Sequence, residues 1–276
     1  MKNILVPTDF SENANTAIEY AAELASHTGA KITVVNIYTP AVTKPNIISP
    51  LIQQEISAAE DSALAKLDAV RKTIIEQFSG VSCETSFVVG PVVPTLEKLT
   101  QELDAQMLVM GTRGATGLDK ILFGSNTAHM IEKSSCPVLA IPREAPYRRP
   151  TKIILATDFA NEELGHITKL VSLAKSLGSE ILMTHITTDP EAMQSEEMLK
   201  RNFAKRVSEA TDYPSVSYMI KFEDDISRAL QTAVSQVDAD WIAMLTHHRT
   251  FFEKIYNPSM TKAMAYHTKI PLLALK

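Results

Sequence analysis

Met110-Gly111-Thr112-Arg113-Gly114-Ala115-Thr116-Gly117, with Phe123-Gly124-Ser125-Asn126 close behind, is the stretch from which the fold is read. Four of the nine glycines in the chain fall between Gly111 and Gly124. Just upstream, Met107-Leu108-Val109-Met110 is a short apolar run of the kind a buried parallel strand shows. Just downstream, Asn126 to Lys133 reads as a helix with Gly124 or Ser125 at its cap. The glycines therefore lie between the carboxyl end of a strand and the amino end of a helix. Backbone N–H groups are free at such a place, and the helix dipole favours negative charge. Glycine lets an anion reach the main chain with no β-carbon in the way. The stretch reads as a phosphate cradle.

Outward from it, strands alternate with helices. Asn3 to Thr8 reads as a strand ending in Pro7-Thr8-Asp9-Phe10. Ser11 then caps a helix whose apolar face is Ala14, Ala17, Ile18, Ala21 and Ala25, and Gly29 closes it. Lys31 to Tyr38 is a second strand, β-branched and apolar. A loop with Pro40, Pro45 and Pro50 leads to a long helix over roughly Gln53 to Phe78. Ser82 to Val89 is a third strand and Pro91 to Leu103 a third helix. Pro137-Val138-Leu139-Ala140-Ile141, after the glycine stretch and its helix, makes a fifth strand. This alternation predicts an α/β unit with a largely parallel sheet.

The pattern then restarts. Pro142 to Pro150 holds three prolines and three arginines and reads as an exposed linker. After it, Lys152-Ile153-Ile154-Leu155-Ala156-Thr157-Asp158-Phe159 repeats the start of the chain, with Thr-Asp-Phe matching outright. Gly178 answers Gly29, Asp238 to Met244 answers Asp104 to Met110, and Ile270 to Leu275 answers Cys136 to Ile141. Two copies of one unit are expected, over residues 1–143 and 151–276, with 144–150 between them. The copies part at the glycines: Gly111 becomes Leu245, Gly114 becomes His248, and Gly124-Ser125 becomes Pro258-Ser259. A proline at that place has no N–H to offer. The second copy is not expected to hold phosphate as the first does.

Composition sets the outer limits. The chain has 276 residues, 45% hydrophobic and 21% charged, which suits two globular domains and not a disordered chain. A net charge of −5 gives no support to nucleic-acid binding. The two cysteines, Cys83 and Cys136, have no metal-like spacing and fit a reducing compartment. The sequence from Lys2 runs straight into Ile4-Leu5-Val6, and no apolar stretch approaches a membrane span. A soluble, cytoplasmic protein is expected, with no membrane or nucleic-acid partner.

The chain resembles the universal stress protein family, as a tandem of two such domains covering essentially its whole length. The resemblance rests on Gly-x2-Gly-x9-Gly-Ser/Thr, met without a gap by Gly111, Gly114, Gly124 and Ser125, together with Pro7-Thr8-Asp9 after the first strand. It implies two five-stranded parallel sheets, Rossmann-like in the manner of the adenine nucleotide alpha hydrolases. It also implies a nucleotide in the crevice between the first and fourth strands. Carried over position by position, adenine and ribose contacts fall on Pro7, Thr8, Asp9, Ile37 and Met110. Phosphate contacts fall on Gly111, Arg113, Gly114, Gly124, Ser125 and Asn126. The ligand so implied is ATP with Mg²⁺ or Mn²⁺, the metal reached by Asp9 through oxygen. Family domains commonly pair through their last strands, here Val138 to Ile141 and Leu272 to Leu275, which implies intrachain pairing and is compatible with a homodimer. The second copy keeps Thr157, Asp158, Ile186 and Met244 but departs over the whole phosphate loop.

Plainer readings stand beside these. Gly111 and Gly114 would also serve a tight turn, Asp9 a helix cap, and Pro7 a strand end. Met110 and Met244 suit a core. His247-His248, adjacent at a strand end, point apart and suit a surface better than a metal. Arg143, Arg148 and Arg149 suit a solvated linker, and His129 a structural place in its helix. Neither Gly-x4-Gly-Lys-Ser/Thr nor Gly-x-Gly-x2-Gly occurs. Without a loop lysine or a water-activating base, fast hydrolysis is not expected. A regulatory ATP binder is the leading expectation. A slow ATPase or adenylyl-handling enzyme, and a nucleotide-free interaction scaffold, are the alternatives.

Overall fold

The computed structural model describes residues 1–40, 50–112, 124–145, 147–246 and 270–276. These divide into two compact units, one within Met1–Tyr147 and the other within Arg148–Lys276. In the first, β1 (Asn3–Pro7), α1 (Glu12–Thr28), β2 (Lys31–Tyr38), α2 (Pro50–Gln77) and β3 (Cys83–Val89) follow in order. Then come α3 (Val92–Glu102), β4 (Met107–Gly111), α4 (Ser125–Lys133) and β5 (Val138–Ile141). The expected elements are all present, with ends displaced by a few residues. The largest shift is at α2, which begins at Pro50 and not at Gln53; a proline fits the first helical position, where its missing N–H costs nothing.

The five strands of this unit are parallel, in the order β3-β2-β1-β4-β5. The chain runs from β1 outward to β3, then returns to the other side of β1 for β4. The carboxyl ends of β1 and β4 thus flank a crevice where the direction of winding reverses. Strands buried on both faces need near-continuous apolar sequence. Ile4, Leu5, Val6, Leu108, Val109, Val138 and Leu139 accordingly have at most 1% of their surface exposed. The alanines of α1 let that helix lie close on the sheet, with Ala17, Ala21 and Ala22 fully buried. Ser11 caps α1 by accepting the Ala14 N–H, and Gly29 ends it in the left-handed region at φ 68°.

The second unit repeats the plan with β6 (Lys152–Ala156), α5 (Leu164–Leu177), β7 (Glu180–Thr187), α6 (Met193–Thr211) and β8 (Val216–Phe222). It is completed by α7 (Ile226–Val237), β9 (Trp241–Leu245) and β10 (Leu272–Leu275). Its parallel order is β10-β9-β6-β7-β8. Gly178 ends α5 at φ 68°, as Gly29 ends α1. One local difference matters below: a 3₁₀ turn, Asn161–Glu163, precedes α5, whereas α1 starts directly as an α-helix.

The segment read as a solvated linker is held in place at several points. Tyr147 meets Tyr20 edge to face with ring centroids 4.7 Å apart. Arg143 pairs with Glu12, and Arg149 Nε donates to the Leu177 carbonyl at 2.8 Å. Arg143 and Arg149 therefore have specific partners.

Candidate functional site

The floor of the crevice is the end of β1. Thr8 is 5% exposed and tied on three sides. Its N–H donates to the Val35 carbonyl at 2.8 Å, and its carbonyl accepts Asn36 Nδ2 at 2.8 Å. Its Oγ1 accepts the Phe10 N–H at 3.0 Å. That last bond curls the chain back on itself and puts Phe10 at φ 62°, a region that non-glycine residues seldom enter. Asp9 Oδ1 accepts the Ser11 N–H at 3.0 Å, ahead of α1. The capping of α1 itself belongs to Ser11, so Asp9 organises the turn into the helix.

The facing wall is β4 and α4. The Thr112 N–H continues the strand pairing to the Ile141 carbonyl at 2.9 Å, and the Thr112 carbonyl accepts the Gly124 N–H at 2.6 Å. Thr127 Oγ1 donates to the Gly111 carbonyl at 2.8 Å, clamping the first turn of α4 to the strand end. The first bond within α4 runs from the Ala128 N–H to the Gly124 carbonyl at 3.0 Å. Ser125, Asn126 and Thr127 are thus the opening residues whose N–H groups the helix cannot satisfy itself. Gly124, at the cap, makes no side-chain capping bond. The amino end of α4 presents donors and positive dipole to the crevice with no side-chain cap of its own.

Pro7, Thr8, Asp9, Ile37, Met110, Gly111, Gly124, Ser125 and Asn126 all line one cleft of about 190 Å³. Nine positions named from sequence are thereby brought to one place. Arg113 and Gly114, also named, lie outside the described residues, as do His247 and His248. Three lining residues were not anticipated: Ala14, Val92 and Thr127. Ala14 is buried on the core face of α1 as expected and lines the cleft as well; its position at the helix start, shortly after Thr8 and Asp9, is the available signal. Met110 is 6% exposed and serves both core and cleft. His129 is exposed on α4.

Two readings of the glycines change. Gly124 does not contribute a bare N–H, because that group is spent on Thr112. Gly111 has a packing cause as well as a place in the cleft. A β-carbon built on it would lie 2.8 Å from Asn13 Cγ and 2.9 Å from the Asn13 carbonyl oxygen, closer than real β-carbons come. The second unit has Leu245 at this place, 3% exposed, and there the counterpart of Asn13 is the exposed Glu162. The loss of glycine in the second copy therefore goes with a rebuilt helix start, and not with phosphate contact alone.

Chemically the cleft offers apolar walls at Ile37, Val92 and Met110, a hydroxyl at Thr8, one carboxylate at Asp9 and the donors of α4. Among the described residues, no three His, Cys, Asp or Glu side chains come together in a way that could hold a metal ion. No described helix is long and apolar enough to cross a membrane.

Comparison with known proteins agrees with this architecture. A family model for the universal stress protein family matches residues 1–142 and again 150–276. The chain is 30% identical over 149 residues to the universal stress protein MJ0531 of Methanocaldococcus jannaschii, a match covering 51% of this chain and 82% of that one. It is 27% identical over 155 residues to MJ0577 of the same organism, covering 52% of this chain and 96% of the relative. The crystal structure of a universal stress protein from Archaeoglobus fulgidus covers 99% of this chain and 96% of its own, at TM-score 0.68 and 19% identity. With both halves matched, the chain belongs to the universal stress protein family.

Proposed function

We propose that the first unit binds ATP as a regulatory ligand, and that occupancy of its cleft sets the conformation or the partners of the chain. The observation that carries this reading is the amino end of α4. It opens on the cleft with no side-chain cap among the described residues, and its first N–H groups are unsatisfied within the helix. A phosphate there would serve as the cap. Ser125 would add its hydroxyl, and Asn126 its side-chain amide. Ile37, Val92 and Met110 would flank the purine, and Asp9 and the Thr8 hydroxyl would face the sugar. Arg113 and Gly114 complete the set proposed for the phosphates.

A divalent ion fits as part of the ligand. One carboxylate, Asp9, is present at the cleft, and Mg²⁺ is commonly held by one or two carboxylates together with substrate phosphates and water. When bound it would neutralise phosphate charge. Among the described residues of the cleft, no pair is arranged to activate a water, so binding without rapid turnover is the expected behaviour.

Equilibrium dialysis with labelled ATP and Mg²⁺ tests this against two variants. Ser125→Pro removes an N–H from the first helical position, where proline is otherwise tolerated; Ser125→Ala removes only the hydroxyl. Saturable binding by the natural protein, weakened more by Ser125→Pro than by Ser125→Ala, is expected. Absence of binding in the natural protein removes the proposal, and release of phosphate at a rate of turnovers per second would move it to the enzyme class.

A further inference from the structure

We infer that the second unit carries its own occupant: the carboxylate of Glu163 fills the counterpart of the nucleotide cleft and bars a nucleotide from it. The inference rests on the proposed nucleotide site of the first unit, and its test separates the two.

The two units superpose in sequence at one offset through this region. Thr8-Asp9-Phe10 corresponds to Thr157-Asp158-Phe159, Asn36 to His185, and Gly29 to Gly178. The local bonds correspond as well. The Phe159 N–H donates to Thr157 Oγ1 at 3.0 Å, as Phe10 does to Thr8, and Phe159 sits at φ 55°. The Thr157 N–H donates to the Thr184 carbonyl at 3.1 Å, as Thr8 does to Val35. At the same offset Ala14, a lining residue of the first cleft, becomes Glu163.

Glu163 is 2% exposed, a place where a carboxylate stays only if its hydrogen bonds are met. They are met by the groups that define the cleft floor. The Thr157 hydroxyl donates to Glu163 Oε2, and the Asp158 N–H donates to Oε1 at 3.1 Å. In the first unit the Thr8 hydroxyl proton has no acceptor among the described residues, since its partner there, the Phe10 N–H, is a donor to it. Glu163 thus takes the hydroxyl that the first unit leaves to a ligand, and adds a negative charge at the place proposed for the sugar of an anionic nucleotide.

The plug is built in, not incidental. Leu245 stands where Gly111 lets Asn13 approach, and the 3₁₀ turn Asn161–Glu163 replaces the first turn of the helix. Glu162 is exposed there, and Glu163 is buried as its counterpart Ala14 is. Behind it, His185 Nδ1 donates to the Thr157 carbonyl at 2.9 Å, the bond Asn36 makes to Thr8, while Nε2 faces Glu196 of α6 at 3.4 Å. The floor of the second site is fixed from both sides.

Transplanting the plug tests the inference. Labelled ATP is measured by equilibrium dialysis on the natural full-length chain, on Ala14→Glu, and on Ala14→Leu, a similar bulk without acceptors. One ATP per chain is expected for the natural protein. Ala14→Glu is expected to lose at least 100-fold in affinity with unchanged far-ultraviolet circular dichroism, and Ala14→Leu less than 10-fold. Equal losses in the two variants, or an Ala14→Glu chain that binds normally, would overturn the role given to the carboxylate. A second readout needs no nucleotide: hydrogen exchange at the Asp158 amide should quicken at least 10-fold in Glu163→Ala. Unchanged exchange there overturns the inference even if the first unit binds ATP. Faster exchange in a chain that binds none leaves Glu163 as an internal occupant and removes the ATP reading alone.

Discussion

Asn13 lies directly over the α-carbon of Gly111, so that a β-carbon on Gly111 would come within 2.8 Å of the Asn13 side chain and 2.9 Å of its carbonyl oxygen. The amino end of α1 and the carboxyl end of β4, two walls of one cleft, are in contact because one residue has no side chain. Gly111→Ala should therefore destabilise the first unit by about 1–3 kcal/mol, the usual cost of forcing atoms into a packed site. Gly111→Ala combined with Asn13→Ala should recover part of that loss, since the side-chain clash goes and the backbone clash stays. Urea unfolding of the single and double variants measures both; full additivity would mean that the two residues do not meet.

Much of this was legible in the sequence, because the determinants are local. Strands flanked by Gly29 and Gly178 can be found from apolar runs and helix stops, and nine cleft residues follow from the family resemblance, position by position. What could not be read was the second use of each group. Gly111 as a packing partner depends on Asn13, about a hundred residues away in the chain, and the Gly124 N–H is taken by the Thr112 carbonyl, a bond between residues twelve apart. Ala14 belongs to the core face of α1, as its spacing predicts, and also lines the cleft, which spacing alone does not show. Glu163 is legible at one remove, as a charged residue at an otherwise apolar position of the repeat, but its two partners, the Thr157 hydroxyl and the Asp158 N–H, are visible only in the structure.

Thr127 is 4% exposed, and its hydroxyl is the link between α4 and the Gly111 carbonyl. Thr127→Val keeps the shape and removes the donor, leaving a carbonyl without that partner. A loss of about 1–3 kcal/mol is expected, toward the cost of an unsatisfied buried acceptor. Because the same bond holds the donors of α4 over the cleft, ATP affinity should fall in parallel. Calorimetric melting and ATP binding on one preparation check both effects; a stability loss with unaltered affinity would separate the clamp from the site.

The thiols should be silent in the folded protein. Cys83 and Cys136 are both buried, and burial pushes the Cys83 thiol from 9.0 up to about 11. Titration with a thiol reagent at pH 8 should count none in the native chain and two in 6 M guanidinium chloride, a denaturant concentration chosen to be well above about 5 M. The sign of the pH effect follows from the direction of the shift. The folded state holds the Cys83 proton more tightly than the unfolded state, so this group's contribution is complete below pH 9 and is lost as pH rises toward 11. Cys83→Ser should flatten that part of the stability profile.

Phe10 and Phe159 share a backbone strain and differ in what offsets it. Both are left-handed, at φ 62° and 55°, which costs roughly 1–2 kcal/mol for a residue with a β-carbon. The Phe159 ring is 4% exposed and packs against His185, Phe203 and Tyr218, with centroids 5.4, 5.5 and 6.3 Å away. Phe10 is only half-buried, under Lys66 Nζ at 5.1 Å, a contact of about 0.5–1 kcal/mol. Glycine at either site relieves the same strain. Phe159→Gly also empties a core position, at about 3–5 kcal/mol, and should be strongly destabilising on balance. Phe10→Gly should come out within about 1 kcal/mol of the natural protein, because strain relief and lost contact are of similar size. Urea unfolding of the two variants decides it: equal losses would show that the ring of Phe10, and not the curl imposed by the Thr8 hydroxyl, is what keeps phenylalanine in the first cleft.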